Sequence, residues 1–203
     1  VLIFDECTSG FRETFGGVHK KYNVYPDLCM FGKALGNGYA ITAVIGKREI
    51  MESAQKTFIS STFWTERIGP TAGLATLKEM DKIKSWKIIT SKGKLIKENW
   101  MKIALKNKIN IKITGMDALA TFVINSDNWL KYKTYITQCM LEKGFLAANV
   151  IYSSTKHSQK ILDKYFECLD EIFKKINYFE SDLDLIDNHI KSTVCHAGFK
   201  RLN

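Results

Sequence analysis

VLIFDECTSGFRETFGG, residues 1–17, runs an apolar stretch into two acids, Asp5 and Glu6, and then into a glycine-rich turn. Val1 to Phe4 has the continuous apolar character of a strand buried on both faces. PDLCMFGKALGNGYAITAVIG, residues 26–46, follows the same plan: apolar Leu28 to Phe31, a turn that holds Lys33 among glycines, then apolar Ile41 to Ile45. Between the first two strands, Phe15 to Tyr22 is expected to form a short helix. Two chemistry-bearing side chains, an acid and a lysine, thus stand just past the ends of two strands.

Outward from this core the texture changes twice. GPTAGLATLKEMDKIK, residues 69–84, repeats apolar residues at helical spacing, with alanine and leucine supplying the propensity. A lysine-rich helix is expected over Ser91 to Leu105, followed by two strand-like runs, INIKITG and LATFVIN. Asn128 can cap a helix that reaches Met140, and GFLAANVIY reads as a further strand. Ile161, Leu162, Tyr165, Phe166, Leu169, Ile172, Phe173 and Ile176 then form an apolar stripe of helical period, and Leu183 to His189 suggests a last short helix. The order is strands, one long helix and a smaller α+β unit. The boundary falls near residues 83 to 90, giving units of 1–85 and 86–203.

Composition excludes several classes. The 203 residues carry 45% apolar and 25% charged side chains, ordinary for a globular protein with enough chain to bury a core. No run approaches the roughly 20 apolar residues of a membrane span, and no secretory leader is visible, so a cytoplasmic setting without a membrane is expected. Cys7, Cys29, Cys139, Cys168 and Cys195 are scattered, odd in number and never spaced C-x-x-C, so free thiols are expected, with neither a disulfide framework nor a metal. The four histidines make no metal-ligand pattern. The net charge of +9 raises the question of nucleic acid. Its lysines fall on exposed positions of helical periods and no nucleic-acid motif accompanies them, so no nucleic-acid partner is expected. The chain opens at a valine inside an apolar strand, and we therefore expect a piece of something longer.

Taken singly, the site signals are weak: Lys33 alone reads as a surface lysine, Asp5 as a turn cap, and Gly36–Asn37–Gly38 as a tight turn. In order they form a pattern. LIFDE-x-x-SGFR-x-x-x-GG, then PDL-x-x-x-GK-x-x-G-x-G, then STFWTERIGPTAGLATL resembles the class III (subgroup II) aminotransferases, in particular their glutamate-1-semialdehyde aminomutase-like branch. The motifs fill Val1 to about Met80, and residues 140–173 resemble the family's small C-terminal domain.

The resemblance implies an α/β fold: part of a fold type I pyridoxal-phosphate-dependent large domain followed by a small α+β C-terminal domain. It implies pyridoxal 5′-phosphate as cofactor, with Lys33 forming a Schiff base to it and shuttling the substrate α-proton. Asp5 aligns with the buried carboxylate that keeps the cofactor's ring nitrogen protonated. Glu6 beside it reads as a structural acid. Cys7 stands where relatives usually carry valine, and Thr8 where they carry glutamine or methionine; both depart from the family pattern near the ring. Ser61 and Thr62 align with a Gly-Thr step that reaches the cofactor phosphate of a partner subunit, which implies a homodimer with shared active sites. Their other reading is a cap on the helix that begins near Gly69. The WTER that follows replaces the Gly-Asn-Pro of the aminomutase branch, so an altered substrate mouth is expected. Arg12 reads as a structural salt bridge rather than a substrate contact. The family's main phosphate loop, its ring-stacking aromatic and most substrate contacts lie upstream of the Asp5 strand and have no counterpart in these residues.

The activity so implied is transfer of an amino group between a small-molecule amino donor and an aldehyde or keto acceptor. The 203 residues by themselves are expected to be inactive. Two alternatives stay open: a 2,1-aminomutase using the same lysine and aspartate, and a basic interaction module that has kept the fold and lost the chemistry.

Overall fold

The computed structural model describes residues 1–62, 65–182 and 184–198. The chain divides into two compact units, Val1–Thr90 and Ser91–Asn203.

The first unit is built on a three-stranded sheet. β1 (Ile3–Asp5) pairs in parallel with β2 (Leu28–Phe31), and β2 pairs antiparallel with β3 (Ala43–Gly46). A 3₁₀ turn at Val18–Tyr22 lies on the crossover from β1 to β2, shorter than the helix expected there. A second 3₁₀ turn, Lys33–Leu35, follows β2 directly. After β3 come the single helical turn α1 (Arg48–Met51) and α2 (Ile68–Ile83). Cys29, Phe31 and Leu35 form the buried centre, with Phe4, Phe11, Ile41, Ala43 and Leu77 packed around them. Small residues let α2 come close: a Cβ on Gly69 would sit 2.6 Å from the Ala40 carbonyl oxygen. Pro70 is tolerated because it falls in the first turn, where its missing N–H has no helical acceptor.

One expectation fails in this unit. β1 is not buried on both faces: Val1, Leu2 and Ile3 are all exposed, Val1 by 86%. Among the described residues β2 is the only strand beside it, so its apolar character is left without cover on the far side.

Lys84, in left-handed conformation (φ 52°, ψ 46°), ends α2, and α3 (Ser85–Lys106) starts on the next residue. α3 therefore begins six residues earlier than its lysine-rich periodicity suggested. It carries the chain across the division between the units.

In the second unit β4 (Ile111–Thr114), β5 (Leu119–Ile124) and β6 (Val150–Tyr152) form an antiparallel sheet in the order β4-β5-β6. β5 alternates strictly, with Ala120, Phe122 and Ile124 buried, as a strand with one face on a core should. α4 (Trp129–Glu142) and α5 (Gln159–Phe179) bury their apolar stripes with it. Asn128 precedes α4 without a side-chain cap on its backbone, whereas the Ser158 hydroxyl accepts the Ile161 N–H at the start of α5. Phe122 meets Trp100 and Phe173 edge-on, at ring separations of 4.8 and 5.7 Å. The Trp100 indole N–H, wholly buried, donates to the Tyr165 hydroxyl at 2.9 Å. Gly93 on α3 is required by close approach, since a Cβ there would lie 1.7 Å from the Asp117 carbonyl oxygen. The last short helix is a 3₁₀ turn at Leu185–His189, and Leu183, expected to begin it, lies outside the described residues. Among the described residues no helix is long and apolar enough to cross a membrane. All five cysteines are free thiols.

Candidate active site

Parallel pairing decides where the site forms. Asp5 is in register with Met30, so the carboxyl ends of β1 and β2 lie side by side. The segment after β1 and the turn after β2 therefore leave the same edge, which in open α/β sheets is where ligands bind. Asp5 is the last residue of β1. Lys33 is the second residue after β2.

Four of the six residues named for the site meet there. The Lys33 Nζ donates to the Thr8 Oγ1 at 2.7 Å. The Cys7 N–H donates to Asp5 Oδ1 at 3.0 Å, and the Cys7 thiol shares a hydrogen bond with the same carboxylate. Those two contacts, the backbone one first, hold the Asp5 carboxyl below the usual carboxylate range, with the Lys33 ammonium adding in the same direction. The same hydrogen bond pushes the Cys7 thiol up, because ionising it would set a thiolate against a carboxylate. Gly32 closes the arrangement: a Cβ on it would come 3.5 Å from the Cys7 Sγ.

Lys33 also stands at φ 39°, in the left-handed region that a long side chain rarely adopts. Such a conformation costs of order 1–3 kcal/mol and persists only where its surroundings fix it. Here the Lys33 carbonyl accepts the N–H groups of Gly36 and Asn37, which ties the strained residue into the glycine turn. Asp5 and Lys33 are both exposed among the described residues, whereas the resemblance implied a buried carboxylate at Asp5. The described residues supply the floor beneath the two groups and no wall over them.

Ser61 and Thr62 lie exposed between a 3₁₀ turn at Glu52–Lys56 and α2, and Thr62 makes no hydrogen bond to Asp5, Cys7, Thr8 or Lys33. They do not cap α2 either, whose N-terminal flank is Arg67 without a side-chain cap. Phe63 and Trp64, the latter opening the WTER segment, lie outside the described residues. Arg12 donates its Nε–H to the Thr8 carbonyl at 3.0 Å, which steadies the segment that carries Thr8.

Glu6 alternates with Asp5 and turns inward, 2% exposed. Its carboxylate accepts from Ser9 Oγ at 2.5 Å, Val18 N at 2.9 Å, and His19 N and Nδ1 at 3.0 Å each. Burial raises its pKa, and these hydrogen bonds more than offset that, leaving the carboxyl below its usual range. Sequence reading missed His19, which also lies 4.0 Å from the Cys29 Sγ. Glu6, His19 and Cys29 place ligand-type atoms within 4.8 Å of one another. One feature speaks against a cation there: both Glu6 oxygens are already engaged by donors of the chain. Burial, with the charges of Glu6 and Asp5, pushes the Cys29 thiol up to about 11.

The profile of the family described as Aminotransferase class-III matches residues 1–161. A 3-aminobutyryl-CoA aminotransferase of Cloacimonas acidaminovorans is 34% identical over 72% of the chain and 36% of its own length. A glutamate-1-semialdehyde 2,1-aminomutase of Methanocaldococcus jannaschii is 29% identical over 86% of the chain and 45% of its own length. The chain thus spans less than half the length of these curated relatives. Among solved structures, the PLP internal aldimine form of the FumI protein of Sphingopyxis superposes with a TM-score of 0.80 at 19% identity, covering 89% of this chain and 44% of that one. That likeness is one of fold.

Proposed function

The chain belongs to the class III aminotransferase family, and from that premise we propose that it is the lysine-bearing portion of a pyridoxal 5′-phosphate-dependent aminotransferase. The observation that carries the reading is the meeting of Lys33, Thr8, Cys7 and Asp5 at the carboxyl ends of two parallel strands, with Lys33 on strained backbone. When bound, the cofactor supplies an electron sink for the charge left behind as a substrate α-proton departs. The donor set suits it: an amine, a carboxylate kept ionised, and a hydroxyl between the two chain segments.

Lys33 is the group to hold the cofactor covalently and, once released from it, to carry the α-proton away and return it. Asp5, held ionised by the Cys7 N–H, is the charge partner for a protonated ring nitrogen. Thr8 fixes the Lys33 ammonium at 2.7 Å before the cofactor arrives. Cys7 lies against the same place. Ser61 and Thr62 offer hydroxyl and N–H donors suited to a phosphate, and we assign them to the cofactor of a partner subunit in a homodimer, as the family resemblance implies. Residues 1–85 then form the cofactor-binding part and residues 86–203 the small domain. The wall that Asp5 and Lys33 lack falls to the rest of the large domain.

A second reading, a 2,1-aminomutase that returns the amino group to its own carbon skeleton, is favoured by the relative from Methanocaldococcus. It uses the same lysine and aspartate. One experiment tests what the two share: borohydride trapping of pyridoxal phosphate on the whole protein, with the labelled peptide mapped. Label is expected on Lys33, and Lys33→Ala is expected to lose it together with about 10²–10⁴-fold or more of the turnover. Label on another lysine, or near-parental turnover in Lys33→Ala, would overturn the assignment. The 203 residues alone are expected neither to transaminate nor to take up stoichiometric label.

A further inference from the structure

Between Glu6 and His19 the chain makes one excursion, and among the described residues its hydrogen bonds to Asp5 and Lys33 come from its first two residues, Cys7 and Thr8. The Glu6 side chain closes the excursion at its base, while the Phe11 N–H on the Gly16 carbonyl and the Thr14 hydroxyl on the Gly17 carbonyl brace it further out. Ser9 Oγ binds the Glu6 carboxylate at the start, and Val18 N, His19 N and His19 Nδ1 bind it at the end. The Glu6 carbonyl adds a fifth bond by accepting the Gly10 N–H at 2.8 Å. Glu6 is buried, yet it is no member of the apolar cluster of Cys29, Phe31 and Leu35. A buried carboxylate carries a desolvation cost, and here the compensating donors come from Ser9 within the excursion and from Val18 and His19, where it returns.

We propose that Glu6 is a positioning residue: a buried catch that closes residues 7–17 and so fixes the Cys7 N–H on Asp5 and the Thr8 hydroxyl on Lys33. The proposal rests on the reading of Asp5 and Lys33 as the reacting site and deepens it by naming what holds them. It also explains why two adjacent acids differ so much in environment. Asp5 faces the open edge with one backbone donor, while its neighbour faces inward and gathers four. The catch requires a carboxylate. Each Glu6 oxygen accepts from a backbone N–H, Oε1 from His19 and Oε2 from Val18, so the NH₂ of a glutamine would meet an N–H in either orientation.

Cys7 serves as the reporter, since its thiol is restrained by the contacts the catch sets up. In the whole protein without added cofactor, the rate of iodoacetamide labelling is measured against pH for Cys7 and Cys29 by peptide mass spectrometry. In Glu6→Gln, Cys7 is expected to react about tenfold faster at neutral pH, with the midpoint of its profile moved down. Cys29, buried in the core of the same unit, loses only the Glu6 charge that helps raise its thiol and is expected to accelerate far less than Cys7. An unchanged Cys7 overturns the proposal. So does a Cys29 that accelerates in step with Cys7, because that is general loosening and not release of the 7–17 segment. Should Glu6→Gln fail to fold, Ser9→Ala removes one donor of four and is expected to move Cys7 about two- to threefold in the same direction; no movement there overturns the proposal equally. The readout uses no cofactor, so it stays separate from the reading beneath it. A freed Cys7 in a protein whose Lys33 takes no pyridoxal phosphate would uphold the catch and defeat the site.

Discussion

Gly17→Ala tests the same region by geometry alone. Gly17 has φ −78° and ψ 148°, which any residue adopts, so alanine brings no backbone strain. What it brings is a collision: its Cβ would lie 2.2 Å from His19 Nδ1, 2.3 Å from Cε1 and 2.9 Å from Glu6 Oε1. The imidazole is the movable party and must swing out. It then loses the bond to Glu6 at 3.0 Å, its tilted contact with Phe4 and its edge-on contact with Tyr25. A hydrogen bond to a charged group is worth about 1.5–3 kcal/mol, so about 2 kcal/mol of stability should go. With a urea dependence of about 2 kcal/mol/M, the unfolding midpoint should fall by about 1 M. Gly38→Ala makes the contrasting control, because there the added methyl meets nothing within 4 Å and the cost is the positive φ of 106° alone. The assay is urea unfolding of the whole protein followed by amide exchange, read at Val18 and His19. A Gly17→Ala midpoint within about 0.2 M of the parent, with those two amides still protected, would refute the packing described for Glu6 and His19.

Two further outcomes are expected. Lowering the pH should undo the Glu6 bonds, and the direction is fixed: a carboxyl whose folded pKa is depressed contributes stability above its ordinary value of about 4.3 and loses it as the pH falls through the lower folded value. The Val18 and His19 amide resonances should therefore begin to shift only below the ordinary glutamate range, and a midpoint at or above that range contradicts the hydrogen bonding seen. Thr62→Val should weaken cofactor retention by about 1–3 kcal/mol, the cost of one unmade hydrogen bond to an anion, and retention should vary with protein concentration near the dimer dissociation range; tight binding by a monomeric whole protein would remove Thr62 from the site.

Much of this was legible in the sequence, and the parts that were not share a cause. β2, α2, β5 and α5 follow from local pattern, since apolar alternation and helical period depend on near neighbours along the chain. Lys33 and Asp5 were legible through the order of their motifs. The early start of α3 was not, because one left-handed residue, Lys84, separates it from α2 where no glycine or proline marks a break. His19 was missed for a different reason: it is 13 residues from Glu6 and 10 from Cys29, and only the crossover from β1 to β2 brings the three together.

Asp5 and Glu6 show where sequence reading stops. Alternation along an extended chain puts adjacent side chains on opposite faces, so the pair alone already requires that one acid face in and one face out. Which does which depends on what packs below, and that is settled by Cys29, Phe31 and the returning Val18–His19 segment, none of them adjacent in sequence. The inward acid then finds four donors and stays ionised at 2% exposure. The outward one keeps its charge beside a lysine. An Asp5–Glu6 exchange of identities would preserve composition, charge and pattern, yet it would shorten the inward side chain by one carbon and pull it back from Val18 and His19, while pushing the outward carboxylate past the Cys7 N–H. The chemistry of the pair lies in the difference of one methylene as much as in the two charges.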